Sequence, residues 1–358
     1  MFCDRLSSLI KEPNWAPLYL ILHYLVISFI VANSMEFFNN HIISVSQFDK
    51  PSLDQLFRLA NQMKLLRKHR LASDPLNGYV LGNIFFEPST RSRMSFASAF
   101  LYLGGKVNST TGVVFSSISK GETLADTVKV IQLYCDVLVI RHSQLGAAKE
   151  AAKNCQIPLI NAGDGPGEHP TQALLDLYTI LEEKGHVDGL TISMVGDLRF
   201  GRTVHSLAKL MALYKNVKFI FGSPEVVQMP KGLVQDLIDK GFDITVTDNF
   251  DEAISDADVI YSTRIQKERF SDPREYETID GMYVLTREKI EKICKPDVTI
   301  LHPLPRTSEI APNVDVLPNA AYFRQAENGL YVRMALFLLI LGKEKAFQEK
   351  YEESLISA

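Results

Sequence analysis

From about residue 78 onward, short β-branched runs alternate with amphipathic helical stretches. Parallel strands joined by crossover helices produce this pattern, because a parallel pair needs a connection of about a dozen residues or more. The alternation predicts an α/β fold with two doubly wound parallel-sheet lobes. In the first half it places strands at 79–86, 106–109, 137–141 and 157–161, and a helix at 122–134 in which Leu124, Val128 and Ile131 share one face. The second half restarts at 190–195 and continues through strands at 217–221, 243–247, 259–262 and 298–301. A helix at 172–184 stands between the lobes, and an apolar helix at 330–341 closes the chain. No repeat, low-complexity segment or long linker interrupts the pattern.

A length of 358 residues suits two domains. The 38 Lys+Arg are balanced by 42 Asp+Glu, a formal charge of -4 that offers no global attraction for nucleic acid or an anionic membrane. An anion site must therefore be local, and no nucleic-acid partner is expected. Cys3, Cys135, Cys155 and Cys294 lie far apart, which fits reduced thiols rather than a metal or redox pair.

Residues 18–31 are nearly all apolar, interrupted by Tyr19, His23, Tyr24 and Ser28. The run is short for a membrane span, which takes about 20 residues, and it matches the length of a signal-peptide core. The preceding Asp4, Arg5, Lys11 and Glu12 give it no positive bias. Three readings stand: a targeting segment, a non-structural leader upstream of a start at Met35, and a membrane anchor. Residues 1–36 are accordingly set apart from the two domains.

In open α/β sheets ligands bind beyond the carboxyl ends of the strands. After the first strand comes Glu87-Pro88-Ser89-Thr90-Arg91-Ser92-Arg93, then an apolar-periodic helix. Hydroxyls, helix N–H groups and arginines converge there on a phosphate cradle, since cations in a first helical turn oppose the helix dipole and call for another explanation. Arg141-His142 ends another strand. A Gly- and Pro-rich loop, 161–172, leads through His169 to a helix starting near Pro170, with Gln172 one turn inward. A helix N-terminus biases His169 toward neutral imidazole, able to donate one N–H to a carbonyl oxygen. Gly196 to Thr203 nearly matches a nucleotide-binding phosphate loop, but Arg202 stands where lysine belongs. A planar guanidinium suits a carboxylate gripped by two hydrogen bonds, and Arg264 and Gln266 beyond a later strand would supply a second grip.

These residues carry a resemblance to the catalytic chains of the aspartate carbamoyltransferase (aspartate transcarbamoylase) family, from about His41 to the end. Phe86-Glu87-Pro88-Ser89-Thr90-Arg91-Ser92-Arg93 is similar to the family's F-E-x-S-T-R-T-R, with Ser92 keeping the hydroxyl of the usual threonine. His169-Pro170-Thr171-Gln172, Gly201-Arg202-Thr203-Val204-His205, Arg264-Ile265-Gln266 and His302-Pro303-Leu304-Pro305-Arg306 match further family motifs in the same order. The resemblance implies a carbamoyl phosphate-binding domain of residues 37–170 and 326–358, an aspartate-binding domain of 171–325, and a homotrimer with active sites at subunit boundaries. It implies carbamoyl transfer from carbamoyl phosphate to the amine of L-aspartate, in pyrimidine (UMP) biosynthesis. Ser89, Thr90, Arg91, Ser92 and Arg141 would hold the phosphate, and His169 and Gln172 the carbamoyl end. Ser116 and Lys120 would be supplied by the neighbouring subunit. Arg202, Thr203, Arg264, Gln266, Lys120 and the backbone of Pro303 and Leu304 would take the aspartate, while Glu87 would pair with Arg202 and Arg269 on domain closure. Arg91, Ser92, Arg141 and His169 are the expected catalytic groups, with no cofactor and no metal. The resemblance places the protein in the cytoplasm, and the apolar N-terminal segment raises a plastid as the alternative. No part of the chain resembles the zinc-bearing regulatory partner of some bacterial relatives.

Three competitors are weighed against this reading. An ornithine-specific relative would share the phosphate half but carry an H-C-L-P motif where this chain has His302-Pro303-Leu304-Pro305, and Arg264 would repel ornithine's ammonium group. A phosphate-loop nucleotide module would explain residues 196–203 and none of the other motifs. A non-catalytic assembly subunit would have no need of every matched site residue.

Overall fold

The computed structural model describes residues 35–71, 73–111, 117–270, 272, 277, 279 and 281–356. The apolar stretch 18–31, Cys3 and Ser116 lie outside them. The chain opens with α1 (Lys50–Lys68), whose N-terminus is closed by a reciprocal box between Asp49 and Ser52. The first lobe follows as β1 (Val80–Phe85), α2 (Thr90–Tyr102), β2 (Lys106–Thr111), α3 (Leu124–Ile131), β3 (Val137–His142), α4 (Ala147–Lys153) and β4 (Leu159–Asp164). Helix α5 (Pro170–Lys184) leads to the second lobe: β5 (Thr191–Val195), α6 (Arg202–Met211), β6 (Lys218–Gly222), α7 (Lys231–Asp239), β7 (Asp243–Thr247), α8 (Phe250–Ser255), β8 (Val259–Ser262), α9 (Arg287–Ile293) and β9 (Thr299–Leu301). Helices α10 (Tyr322–Ile340) and α11 (Glu344–Ile356) return to the first lobe.

Both sheets are wholly parallel, in the orders β2-β1-β3-β4 and β7-β6-β5-β8-β9. Two doubly wound α/β lobes are thus present as expected. The order in which strands are added reverses between β1 and β3 in one sheet and between β5 and β8 in the other. The segments leaving those four strands carry Glu87 to Arg93, His142 onward, Gly196 to Arg202 and Thr263 to Gln266, so each lobe presents its topological switch point where polar residues cluster.

Three expectations need correcting. Residues 161–164 are strand, because β4 continues to Asp164, and the irregular loop is confined to 165–169. Gly163 permits this: at φ 120° it sits beside the register shift opposite Ile140 and His142. Helix α10 begins at Tyr322 rather than at 330, since Gln325 and Asn328 are buried hydrogen-bonding residues that mask the apolar period. The helix expected at 122–134 ends at Ile131 and finishes as a 3-10 turn, Gln132–Tyr134.

One hydrophobic core runs through both lobes. It joins Leu56, Leu59 and Met63 of α1, Phe96 and Phe100 of α2, Leu174 and Leu177 of α5, Leu207 and Met211 of α6, and Met334, Phe337 and Leu338 of α10. Phe337 meets Phe100 edge to face with ring centres 4.9 Å apart. Because α1, α5 and α10 are shared by this core, the two switch points are held against each other across a cleft.

Candidate active site

The cleft holds a cavity of about 850 Å³. Its lining includes Glu87, Ser89, Thr90, Arg91, Ser92, Arg141, His169 and Gln172 from the first lobe and α5, and Arg202, Thr203, Arg264, Gln266, Arg269, Pro303 and Leu304 from the second. Fifteen of the expected site residues on this chain, Arg269 among them, therefore share one space. Lys120 does not: it is exposed on the 3-10 turn Ser117–Lys120 and does not line the cavity, while Ser116 lies outside the described residues.

At the phosphate end, Ser89 is the N-cap of α2, and its side chain makes no capping hydrogen bond. The hydroxyl and the first-turn N–H groups of α2 thus face the cavity together, the arrangement that receives an oxyanion. Arg141 is positioned by β3, pairs with the Glu87 carboxylate at 2.8 Å and donates to the Ala162 carbonyl at 3.2 Å. Burial lowers its pKa and Glu87 opposes the shift. Position 163 favours glycine, since its φ of 120° would strain any side chain and a Cβ would stand 3.2 Å from Arg141 Nη1 and 3.1 Å from Arg202 Nη2. The close approach of these two guanidiniums depends on that bare backbone.

His169 is the N-cap residue of α5 and is buried, and neither ring nitrogen has a hydrogen-bond partner among the described residues. Burial, then the charges of Arg141, Arg202 and Arg333, hold its pKa well below the ordinary histidine value. The imidazole is neutral at physiological pH and keeps one N–H for a ligand. Gln172, one turn along, is fixed by a 2.8 Å bond to the buried Asp176.

The other end of the cavity is built at the second switch point. Gly196, at φ 106°, passes so near β8 that a Cβ would lie 2.2 Å from the Thr263 carbonyl oxygen. Asp197 then accepts from the N–H groups of Phe200 at 2.9 Å and Gln266 at 3.1 Å, tying the β5 turn to the segment after β8. Arg202 and Gln266 are brought to one wall in this way. Arg202 also donates to the Gly165 carbonyl and stands 3.8 Å from Glu87. Burial and neighbouring Arg141 push its pKa down to about 10, so it stays charged. The third wall rests on His302, whose Nδ1 accepts the Leu304 N–H at 2.8 Å and whose Nε2 donates to Glu309 at 2.7 Å. Burial would raise the Glu309 carboxyl, but the His302 bond and its own loop amides prevail and hold it at about 2.

Among the described residues, Arg91, Arg141, Arg202, Arg264, Arg269 and Arg333 line the cavity against one carboxylate, that of Glu87. Such a space suits two anions side by side. Sequence reasoning missed Arg333, fully buried in α10, where it donates to Ser95 at 2.8 Å. An arginine inside the apolar stretch 330–341 was the available signal. Among the described residues no group of three or more His, Cys, Asp or Glu is placed to hold a metal ion.

Comparison with known proteins agrees with this geometry. Residues 40–182 match the family model for the aspartate/ornithine carbamoyltransferase carbamoyl-P binding domain, and residues 188–340 the model for the Asp/Orn binding domain. The aspartate carbamoyltransferase catalytic subunit of Methanopyrus kandleri is 49% identical over 306 residues, covering 86% of this chain and 98% of that one. A chloroplastic aspartate carbamoyltransferase of Arabidopsis thaliana is 47% identical over 302 residues, covering 84% and 77%. The crystal structure of Trypanosoma cruzi aspartate transcarbamoylase with carbamoyl phosphate and aspartate aligns with a TM-score of 0.81 at 39% identity, covering 86% and 99%. The chain belongs to the aspartate/ornithine carbamoyltransferase family.

Proposed function

We propose that this protein is an aspartate carbamoyltransferase, which moves the carbamoyl group of carbamoyl phosphate to the amine of L-aspartate and yields N-carbamoyl-L-aspartate and phosphate for pyrimidine synthesis. The observation that carries this reading is the single cavity in which an unfilled helix N-terminus with Arg91 and Arg141 faces Arg202, Arg264 and Gln266. Ser89, Thr90, Arg91 and Ser92 hold the phosphate, helped by Arg141, with Ser116 and Lys120 of a neighbouring chain. Gln172 and His169 take the carbamoyl group. Arg202, Thr203, Arg264 and Gln266 take the two carboxylates, and the Pro303 and Leu304 backbone accepts from the amine.

Held in this geometry, the amine nitrogen attacks the carbamoyl carbon, and the new C–N bond places negative charge on the carbonyl oxygen. Ser92, Arg141 and neutral His169 stabilise that charge, with preorganised donors in place of reorganising water. The C–O bond to phosphate then breaks, and a phosphate oxygen takes the amine proton. Positioning supplies much of the acceleration, because both substrates are anions that repel each other in solution. Arg264 disfavours ornithine, whose side chain would bring a cation to a cationic wall.

Residues 37–170 with 326–358, and 171–325, form the two substrate domains, and the exposed placement of Lys120 supports a homotrimer with shared sites. Among the described residues no helix is long and apolar enough to cross a membrane. The chloroplastic relative supports residues 1–34 as an organellar targeting segment, with a cytoplasmic protein starting at Met35 as the second reading. The test is product formation by protein beginning at Met35, given carbamoyl phosphate with L-aspartate or L-ornithine, beside an ATP hydrolysis control. Carbamoyl-aspartate alone is expected. Citrulline would reassign the second lobe, and ATP hydrolysis without either product would revive the phosphate-loop reading.

A further inference from the structure

We infer that Asp176, buried in α5 behind the cavity, is a positioning residue that sets the geometry of both substrate half-sites at once; the inference rests on the reaction proposed above. Its Oδ1 accepts from Gln172 Nε2 at 2.8 Å and from Gln325 Nε2 at 2.6 Å, and its Oδ2 accepts from the Tyr261 hydroxyl at 2.7 Å. Each donor leads to a different wall. Gln172 belongs to the carbamoyl phosphate half. Tyr261, on β8, stands close enough to Thr203 of the opposite wall for that hydroxyl to favour its ionised form. Gln325, on α10, accepts the His302 N–H at 2.8 Å, and His302 anchors the turn carrying Pro303 and Leu304.

Asp176 does not itself line the cavity. The charged groups around it are few: Arg333 of α10 acts on it through space, and Tyr261, Gln172 and Gln325 supply the hydrogen bonds. Burying a carboxylate is costly, and three donors on one acid group are more than helix packing requires. Fixing three walls from one point accounts for it. The donors all point inward to the acid, so their directions are set by its two acceptor oxygens.

Asp176→Asn separates positioning from packing, because asparagine keeps the shape and an oxygen for Gln172 and Gln325. Its amide nitrogen, however, points a donor at the Tyr261 hydroxyl and turns that bond around. With the full chain, the KM for aspartate should rise about tenfold, as expected for loss of a bond to a charged acceptor. The KM for carbamoyl phosphate should rise about threefold, with kcat at saturation nearly kept and the melting temperature not lowered. Tyr261→Phe should raise the KM for aspartate and leave that for carbamoyl phosphate alone, since only the Thr203 branch is cut. Folded Asp176→Asn protein with both KM values unchanged would overturn the assignment while the wild type still makes carbamoyl-aspartate. If Asp176→Asn does not fold, a Tyr261→Phe effect on both substrates or on neither overturns it. A wild type that makes no carbamoyl-aspartate would overturn the reaction and this assignment together.

Discussion

The Glu87 carboxylate lies 2.8 Å from the Arg141 guanidinium, so an acid of the α2 loop occupies a cation that the phosphate half requires. The same oxygen is 3.8 Å from Arg202 in the opposite lobe. Glu87 therefore holds two guanidiniums near each other across the cleft that would otherwise repel, and it competes with any incoming anion. For Glu87→Gln the expected outcome is a rise in the KM for aspartate of about tenfold, with Arg202 less well placed, and tighter binding of inorganic phosphate as the competitor is removed. Kinetics and phosphate inhibition measured on one preparation check both; weaker phosphate binding would contradict the competition argument.

Arg91 stands in the first turn of α2, where a cation opposes the helix dipole, and the phosphate of the proposed reaction would reconcile the two. Arg91→Ala should lower kcat by roughly two to three orders of magnitude, the usual effect of deleting a donor that meets developing charge. Near-normal turnover would remove the phosphate assignment from this loop.

Much of this site was legible in the sequence because switch-point chemistry is local. A strand, a polar turn and a helix start can be read from adjacent residues, as at Glu87 to Arg93 and Gly196 to Thr203. The groups behind the site were not legible for the opposite reason. Asp176 and Arg333 sit in buried stretches of helix among mainly apolar neighbours, and periodicity treats a buried charge as noise. Their partners, Tyr261, Gln325 and Ser95, are distant in sequence and meet them only through the packing of α2, α5, β8 and α10. The start of α10 was obscured likewise, since Gln325 and Asn328 are buried through hydrogen bonds rather than by hydrophobicity. Gly163 shows the same limit at the level of backbone: a glycine before a Gly- and Pro-containing loop reads as a break, whereas here β4 continues through a register shift beside it and two arginines come close.

Lys120 is exposed and separate from the cavity, whereas Arg264 lines it. If Lys120 serves the site of an adjacent chain, Lys120→Ala and Arg264→Ala each inactivate a homogeneous assembly. Mixed subunits, denatured together and reassembled, then contain sites in which both side chains are intact. Recovery of a measurable fraction of wild-type activity is expected in the mixture and absent from either variant treated alone. No recovery, in mixtures shown by mass to contain both chains, would place Lys120 outside the shared site.

Asp176 also makes a prediction about stability. Burial pushes its pKa up to about 7 against the bonds from Gln325, Tyr261 and Gln172, which favour the anion. A folded-state pKa above the unfolded one means that the native protein binds the extra proton, so stability declines as pH rises from about 4 to 7. The slope for one full proton is about 1.4 kcal/mol per pH unit. Asparagine cannot ionise, so the melting temperature of Asp176→Asn should gain on the wild type by roughly 3 °C or more for each unit between pH 5 and 7, and level off above. Arg333, pushed down to about 10 chiefly by burial, remains charged throughout this range, so the pH dependence of the difference comes from Asp176 itself. Thermal melts of both proteins across that window decide the matter, and parallel curves would show that the buried acid is already ionised at pH 5.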